Sequence, residues 1–183
     1  MVSQLTHFTK IQFANRKRHL PFSLALDGTT CPIQCPSRFL QRPFYSGKDH
    51  RHCIKYEIGV DIEDGSLVWI SGPVPGAVHD MKLARLFGIL DSIMDDEYIL
   101  ADKGYIGEWQ IVTPIKEAET LLEQIFSHLL SSVRWIVENV LARIKSFKCL
   151  STRWRHSIDL HFIVFFVVSE IVNLDMKNRP VRK

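Results

Sequence analysis

Residues 22–28 read FSLALDG, and residues 98–104 read YILADKG. Each is a short, mainly apolar run that stops at an aspartate, with glycine one or two positions later. Such runs, bounded by turn residues, have the signature of buried strands. Between them, residues 53–62 (CIKYEIGVDI) alternate and are rich in β-formers. Glu63-Asp64-Gly65-Ser66 reads as a hairpin turn and Leu67–Ser71 as the return strand. Pro32, Pro36, Pro43 and Gly47 make residues 31–51 a loop. Helical periodicity covers Ala77–Leu90, 117–130, 131–148 and 157–174. The order strand, hairpin, helix, strand, helices predicts an α/β or α+β architecture, a mixed sheet covered by helices, of which α/β is the expectation.

The chain has 183 residues, about one domain. Apolar residues make up 46% and charged residues 23%, which excludes a disordered chain. The expected division is a basic leader at 1–22, one domain at 23–175 and a basic tail at 176–183. Four cysteines, Cys31, Cys35, Cys53 and Cys149, are too few for a disulfide scaffold. Residues 1–20 carry no secretory signal pattern. The longest apolar run, Phe162–Val168, is far below the roughly 20 residues of a membrane span. The expectation is a protein that is neither secreted nor bound to a membrane.

The net charge is only +3, but it is a sum of opposed parts. Residues 1–26 hold four bases and no acid, and residues 134–155 hold six bases against Glu138 alone. Residues 36–56 and 176–183 are also basic, whereas residues 57–123 carry fourteen acids and four bases. Such asymmetry points to an anionic partner that the sum conceals.

Two strands ending in aspartate matter because ligand and metal sites of α/β sheets lie past strand carboxyl ends. A third acid, Glu138, lies on the helix RWIVENVLARIKSFK. There Val133, Val137, Val140, Ile144 and Phe147 form one apolar stripe, with Ile136 at its edge. Arg134, Glu138 and Lys145 fall within about 40° of one another on a different one. Taken alone, Arg134 and Glu138 are an ordinary i,i+4 surface pair.

The segments LALDGTTCPIQCP, FYSGKDHRHCIKYEIGV, SGPVPGAVHD, LADKGYIGE and RWIVENVLARIKSFKCL, in that order from about residue 24 to 150, carry a family likeness. The chain resembles the catalytic domain of the DDE transposase superfamily, in particular the PIF/Harbinger-type endonucleases. Arg134, Glu138 and Lys145 keep the R-(3)-E-(6)-K spacing of related insertion-sequence transposases. The resemblance implies a ribonuclease H-like fold with catalytic acids Asp27, Asp102 and Glu138. Asp80, in the motif GAVHD, is an additional metal ligand by the same likeness, although its position also suits the first turn of a helix.

The implied activity is divalent-metal-dependent cleavage of DNA, by hydrolysis or strand transfer. Two ions, Mg²⁺ or Mn²⁺, bound by Asp27, Asp80, Asp102 and Glu138, would activate water and stabilise the leaving oxygen. Arg134, Lys145, Lys48 and Lys103 would contact DNA phosphates. The nucleus is the expected location, and the cytoplasm the alternative. Relatives carry a DNA-binding region before this domain that these residues do not supply, which reads as a truncated copy. The partners expected are DNA, with a separate DNA-binding protein and a second copy of the chain as further ones considered. The alternative is an inactive, transposase-derived DNA-binding or interaction protein. A weaker reading takes Cys31, Cys35, His50, His52 and Cys53 as zinc ligands, although their spacing is not that of a zinc finger.

Overall fold

The computed structural model describes residues 22–36, 41–94, 96–115 and 119–180, without the side chains of Leu129, Ser132 and Val133. Most of the expected leader, 1–21, and the last residues of the tail, 181–183, lie outside the described residues. The strands are β1 (Phe22–Pro32), β2 (Tyr45–Ser46), β3 (Arg51–Asp61), β4 (Leu67–Pro75), β5 (Tyr98–Ala101) and β6 (Ile111–Val112). The helices are α1 (Gln41–Phe44), α2 (Asp80–Phe87), α3 (Leu121–Ser146), α4 (Lys148–Ser151) and α5 (Ile158–Asn178). The sheet runs β2-β3-β1-β5-β6, with β4 also paired to β3. It is mixed: β3 is antiparallel to β1 and β4, while β5 is parallel to β1 and β6. This is the α/β sheet with covering helices that the sequence predicts.

Several boundaries differ: the return strand expected at Leu67–Ser71 runs on to Pro75, and the helix expected at Ala77–Leu90 spans only Asp80–Phe87. The first strand does not stop at Asp27, because its two edges have different lengths. Parallel pairing with β5 ends at Leu26↔Ala101, but antiparallel pairing with β3 continues to Pro32↔Cys53. The expected loop over 31–51 therefore shrinks, losing residues to β1, α1, β2 and the start of β3. The helices expected at 117–130 and 131–148 are one, α3. It opens on a capping box, Thr120 with Glu123. No glycine or proline interrupts residues 121–146, so nothing stops the helix between them.

The pleat of the sheet sorts its side chains into two cores. Ala25, Ile54, Tyr56, Ile58 and Val60 pack with Val137, Val140 and Ile144 of α3 and with Phe165, Val168 and Val172 of α5. Leu24, Leu26, Trp69 and Ala101 face the other way, against Met81 and Ala84 of α2 and against Tyr105. No helix among the described residues is long and apolar enough to cross a membrane.

His161 of α5 is fully buried in the first core, its Nδ1 2.8 Å from the Tyr56 hydroxyl. Burial, helped by the charge of Lys145, lowers its pKa from 6.5 to about 4. The folded state therefore resists protonating it. Its contribution to stability is complete above pH 6.5 and is lost as the pH falls through about 4. A histidine NMR titration should show the His161 ring neutral throughout the range from pH 7 to 5. A midpoint near 6.5 would mean that the ring is open to water.

Candidate active site

Register places the two strand-end aspartates side by side. Leu26 of β1 is level with Ala101 of β5, and the next residues are Asp27 and Asp102. Each is held by the amide that follows it. Gly28 N–H donates to Asp27 Oδ1 at 2.8 Å, and Lys103 N–H donates to Asp102 Oδ1 at 2.7 Å. Here β5 ends and β1 continues, so the edge of β1 is uncovered and a cleft opens.

Asp27 has the parity of Ala25, which turns it to the α3 side of the sheet. Gly28, Lys55 and Glu57 have the opposite parity. Asp80, the first residue of α2 as its sequence position suggests, reaches the cleft from that side. Its carboxylate lies between two glycines. A Cβ on Gly28 would stand 2.9 Å from Asp80 Oδ1, and one on Gly104 would stand 2.8 Å from Oδ2. Lys55 Nζ completes the cradle, 2.9 Å from Asp80 Oδ1 and 2.6 Å from the Val78 carbonyl. The cleft has a volume of about 450 Å³, and Asp27, Asp80, Asp102, Lys55 and Lys48 are in its lining.

Arg134 of α3 supplies the opposing charge. Its guanidinium is 3.5 Å from Asp102 Oδ1 and 3.5 Å from Glu138 Oε1. It has not neutralised Asp27, whose pKa is raised to about 6. Burial is the main cause, partly offset by the Gly28 amide and by Arg134, with Asp102 and Asp80 adding repulsion. An aspartate in that state gains from a nearby cation.

The structure thus gathers Asp27, Asp80, Asp102 and Lys48 in one cleft and sets Arg134 against Asp102. Glu138 is not in the lining; its exposed carboxylate is turned to Arg134. Lys145 is drawn away from the acids: its ammonium bonds the Thr30 carbonyl and lies 3.3 Å from the Leu150 carbonyl and 3.2 Å from Cys31 Sγ. Lys103 is exposed, and its contribution here is the main-chain bond to Asp102. Among the described residues no three His, Cys, Asp or Glu side chains are placed together to hold a metal. That includes the zinc grouping: Cys31 and Cys53 are buried in the core, and Cys35 Sγ lies 3.8 Å from His52 Nε2 and 3.6 Å from the Pro36 carbonyl.

Lys55 and the two glycines escape a reading of sequence alone. Lys55 is one of several bases in an alternating strand, and its partner Asp80 lies on another element. Beneath them Glu57 is wholly buried, accepting from Trp69 Nε1 at 3.1 Å and Ser71 Oγ at 3.2 Å. Burial lifts its pKa to about 7.

Residues 26–173 match the family described as DDE superfamily endonuclease. A probable transposase for insertion sequence element IS702, from Microchaete diplosiphon, is 29% identical over 141 residues, covering 73% of this chain and 50% of the relative. The chain thus spans about half the length of that curated relative. No solved structure matches it.

Proposed function

Because this chain belongs to the DDE superfamily endonucleases, we propose that it cuts DNA phosphodiester bonds with divalent ions on which Asp27, Asp80 and Asp102 would close from the walls of their shared cleft. The observation that carries the reading is that Asp27 and Asp102 each follow the last paired residues of adjoining strands, Leu26 and Ala101, and each is locked by the next amide. The donor set fits hard cations, since it is all carboxylate oxygen and includes a buried aspartate with a raised pKa. Mg²⁺ or Mn²⁺, two ions in the fuller version, would activate water and stabilise the leaving oxygen.

The chain's own groups do the rest. Asp27 and Asp102 present fixed oxygens from the sheet. Lys55 and the two glycines hold Asp80 on the opposite wall. Arg134 moves from its carboxylates to a DNA phosphate, where its fork can bond bidentately, and Glu138 is then free to serve as the remaining acid. Lys48 and the exposed Lys103 meet flanking phosphates. The motif run from 24 to 150 supports the PIF/Harbinger type and a ribonuclease H-like arrangement of the sheet. DNA as partner makes the nucleus the proposed location.

The test is nicking of supercoiled DNA with Mg²⁺ or Mn²⁺, against a chelator control. A second reading, a DNA-binding protein without cleavage, has in its favour the exposed Glu138 turned to Arg134. It predicts salt-sensitive DNA binding, no cutting with either ion, and a melting temperature that the ions leave unchanged.

Gly104→Ala tests the cradle. Its Cβ would stand 2.8 Å from Asp80 Oδ2, and Gly104 is exposed, so the side chain of Asp80 must move while the core does not. Metal-dependent cleavage should fall by about 10- to 100-fold, the usual effect of misplacing a support of a metal site. The melting temperature should change little. Unaltered cleavage would remove Asp80 from the site.

A further inference from the structure

A second cavity shares the β2–β3 hairpin with the carboxylate cleft. It has a volume of about 430 Å³ and is lined by, among others, Tyr45, Arg51, His52 and Arg153. None of its lining residues is acidic, while two are arginines and two are histidines, the other being His50. Among the described residues the ion pair of Arg51 is a long one, 4.0 Å to Asp49 Oδ1, while Asp49 Oδ2 takes the Ser46 hydroxyl at 2.8 Å. Among the described residues Arg153 forms no ion pair. Both arginines therefore keep donors for a ligand.

The cavity is built by main-chain pairing. Tyr45↔His52 and Ser46↔Arg51 fix the hairpin on one side. On the other, the bridge Ile33↔Trp154 holds the segment after α4, with Trp154 N–H donating to the Pro32 carbonyl at 2.9 Å. Arg153 is the residue before that bridge. Two basic stretches about a hundred residues apart in sequence thus converge on one concave site.

Its position gives it meaning. Ser46, Gly47, Lys48 and Asp49 of the same hairpin line the carboxylate cleft. The hairpin thus lends residues both to a cleft that holds four aspartates and to a cavity that holds two arginines and no acid. Tyr45 is 43% exposed, with His52 against it edge-on at 5.4 Å, and offers an aromatic face.

We propose that the Arg51–Arg153 cavity binds a backbone phosphate of the DNA strand that is cut in the carboxylate cleft, the strand crossing the 47–50 turn between them. Arg51 and Arg153 bond the phosphate oxygens, and Tyr45 stacks with the attached nucleoside. This rests on the nuclease reading above and adds a strand-holding site and a direction of travel to it.

The experiment uses the double variant Arg51→Ala/Arg153→Ala, with Lys177→Ala/Arg179→Ala at the end of α5 as an equal change of charge. Binding of a fluorescein-labelled single-stranded oligonucleotide is measured by anisotropy in chelator across a salt series, and cleavage and ion-induced melting shifts are measured separately. The cavity variant should bind about tenfold or more weakly at low salt, and its log K against log salt slope should fall by about 1. The end-of-helix variant should stay near the parent, and the Mn²⁺ melting shift should persist in both. Equal losses in the two double variants would overturn the proposal by reducing it to net charge. So would parent-like affinity and slope in the cavity variant when the parent both binds and cuts. A parent that neither binds nor cuts overturns the nuclease reading itself.

Discussion

Asp27→Asn is expected to abolish metal-dependent cleavage while making the metal-free protein more stable. Removing a charged ligand from beside the reacting phosphate should cost on the order of a thousandfold in rate, comparable to losing a principal stabiliser of developing charge. Stability moves the other way because of how Asp27 is placed. Its pKa rises from 3.8 to about 6, chiefly by burial. The folded protein thus binds that proton more tightly than the unfolded chain does. The contribution of the group to stability is complete below about pH 4 and is lost as the pH climbs through about 6. At pH 7 keeping the carboxylate ionised in the folded protein costs on the order of 3 kcal/mol, since a tenfold change in proton affinity corresponds to about 1.4 kcal/mol. Asparagine has nothing to ionise, so thermal melts in chelator should show the variant above the parent at pH 7 and close to it at pH 4. Divalent ions should raise the melting temperature of the parent most above pH 6, where the proton is already gone, and leave Asp27→Asn almost unmoved. A variant that cuts as well as the parent would remove Asp27 from the chemistry, and one that melts lower in chelator would refute the burial account.

The same aspartate shows which parts of the fold are legible in the sequence. FSLALDG and YILADKG announce two strands and their acids, and both are present. What the runs do not tell is which neighbour each edge pairs with. Asp27 looks like a strand end because its parallel partner β5 stops there, yet β1 continues against β3 to Pro32. That one-sided ending is what opens the cleft. The stripe of Val137, Val140 and Ile144 is readable from 3.6-residue periodicity, and all three are buried. The direction of the charged stripe is not readable in the same way. Periodicity puts Arg134, Glu138 and Lys145 on one face, but long side chains follow the nearest unpaired acceptor. Lys145 finds the carbonyls of Thr30 and Leu150 at the end of β1 and in α4, and only Arg134 reaches Asp102. Lys55, Gly28 and Gly104 acquire their roles from Asp80 across the sheet, a contact that no local pattern encodes.

The second large effect belongs to α5, whose place in the fold can be tested at one ring. Phe165 is fully buried and lies on Tyr56 of β3, with ring centroids 3.8 Å apart and planes within 4°. Phe165→Ala should cost about 3–5 kcal/mol, because the lost ring leaves a cavity between helix and sheet that neither can fill. Ile163, on the same helix, is 55% exposed, and Ile163→Ala should stay within about 0.5 kcal/mol. Urea unfolding separates the two: the first variant shifts the midpoint far down, the second hardly at all. Equal midpoints would mean that α5 packs by its other face or not at all. Comparison with Asp27→Asn then divides the sheet by function. Tyr56 lies on the α5 side of β3, and its neighbours Lys55 and Glu57 lie on the α2 side, so a cavity beside Tyr56 opens away from the cradle that holds Asp80. Phe165→Ala, assayed well below its lowered melting temperature, should therefore keep its Mn²⁺-dependent cleavage within a few-fold of the parent. If cleavage collapses while the protein is still folded, β3 transmits strain between its two faces, and the cleft depends on the core behind it as much as on its own ligands.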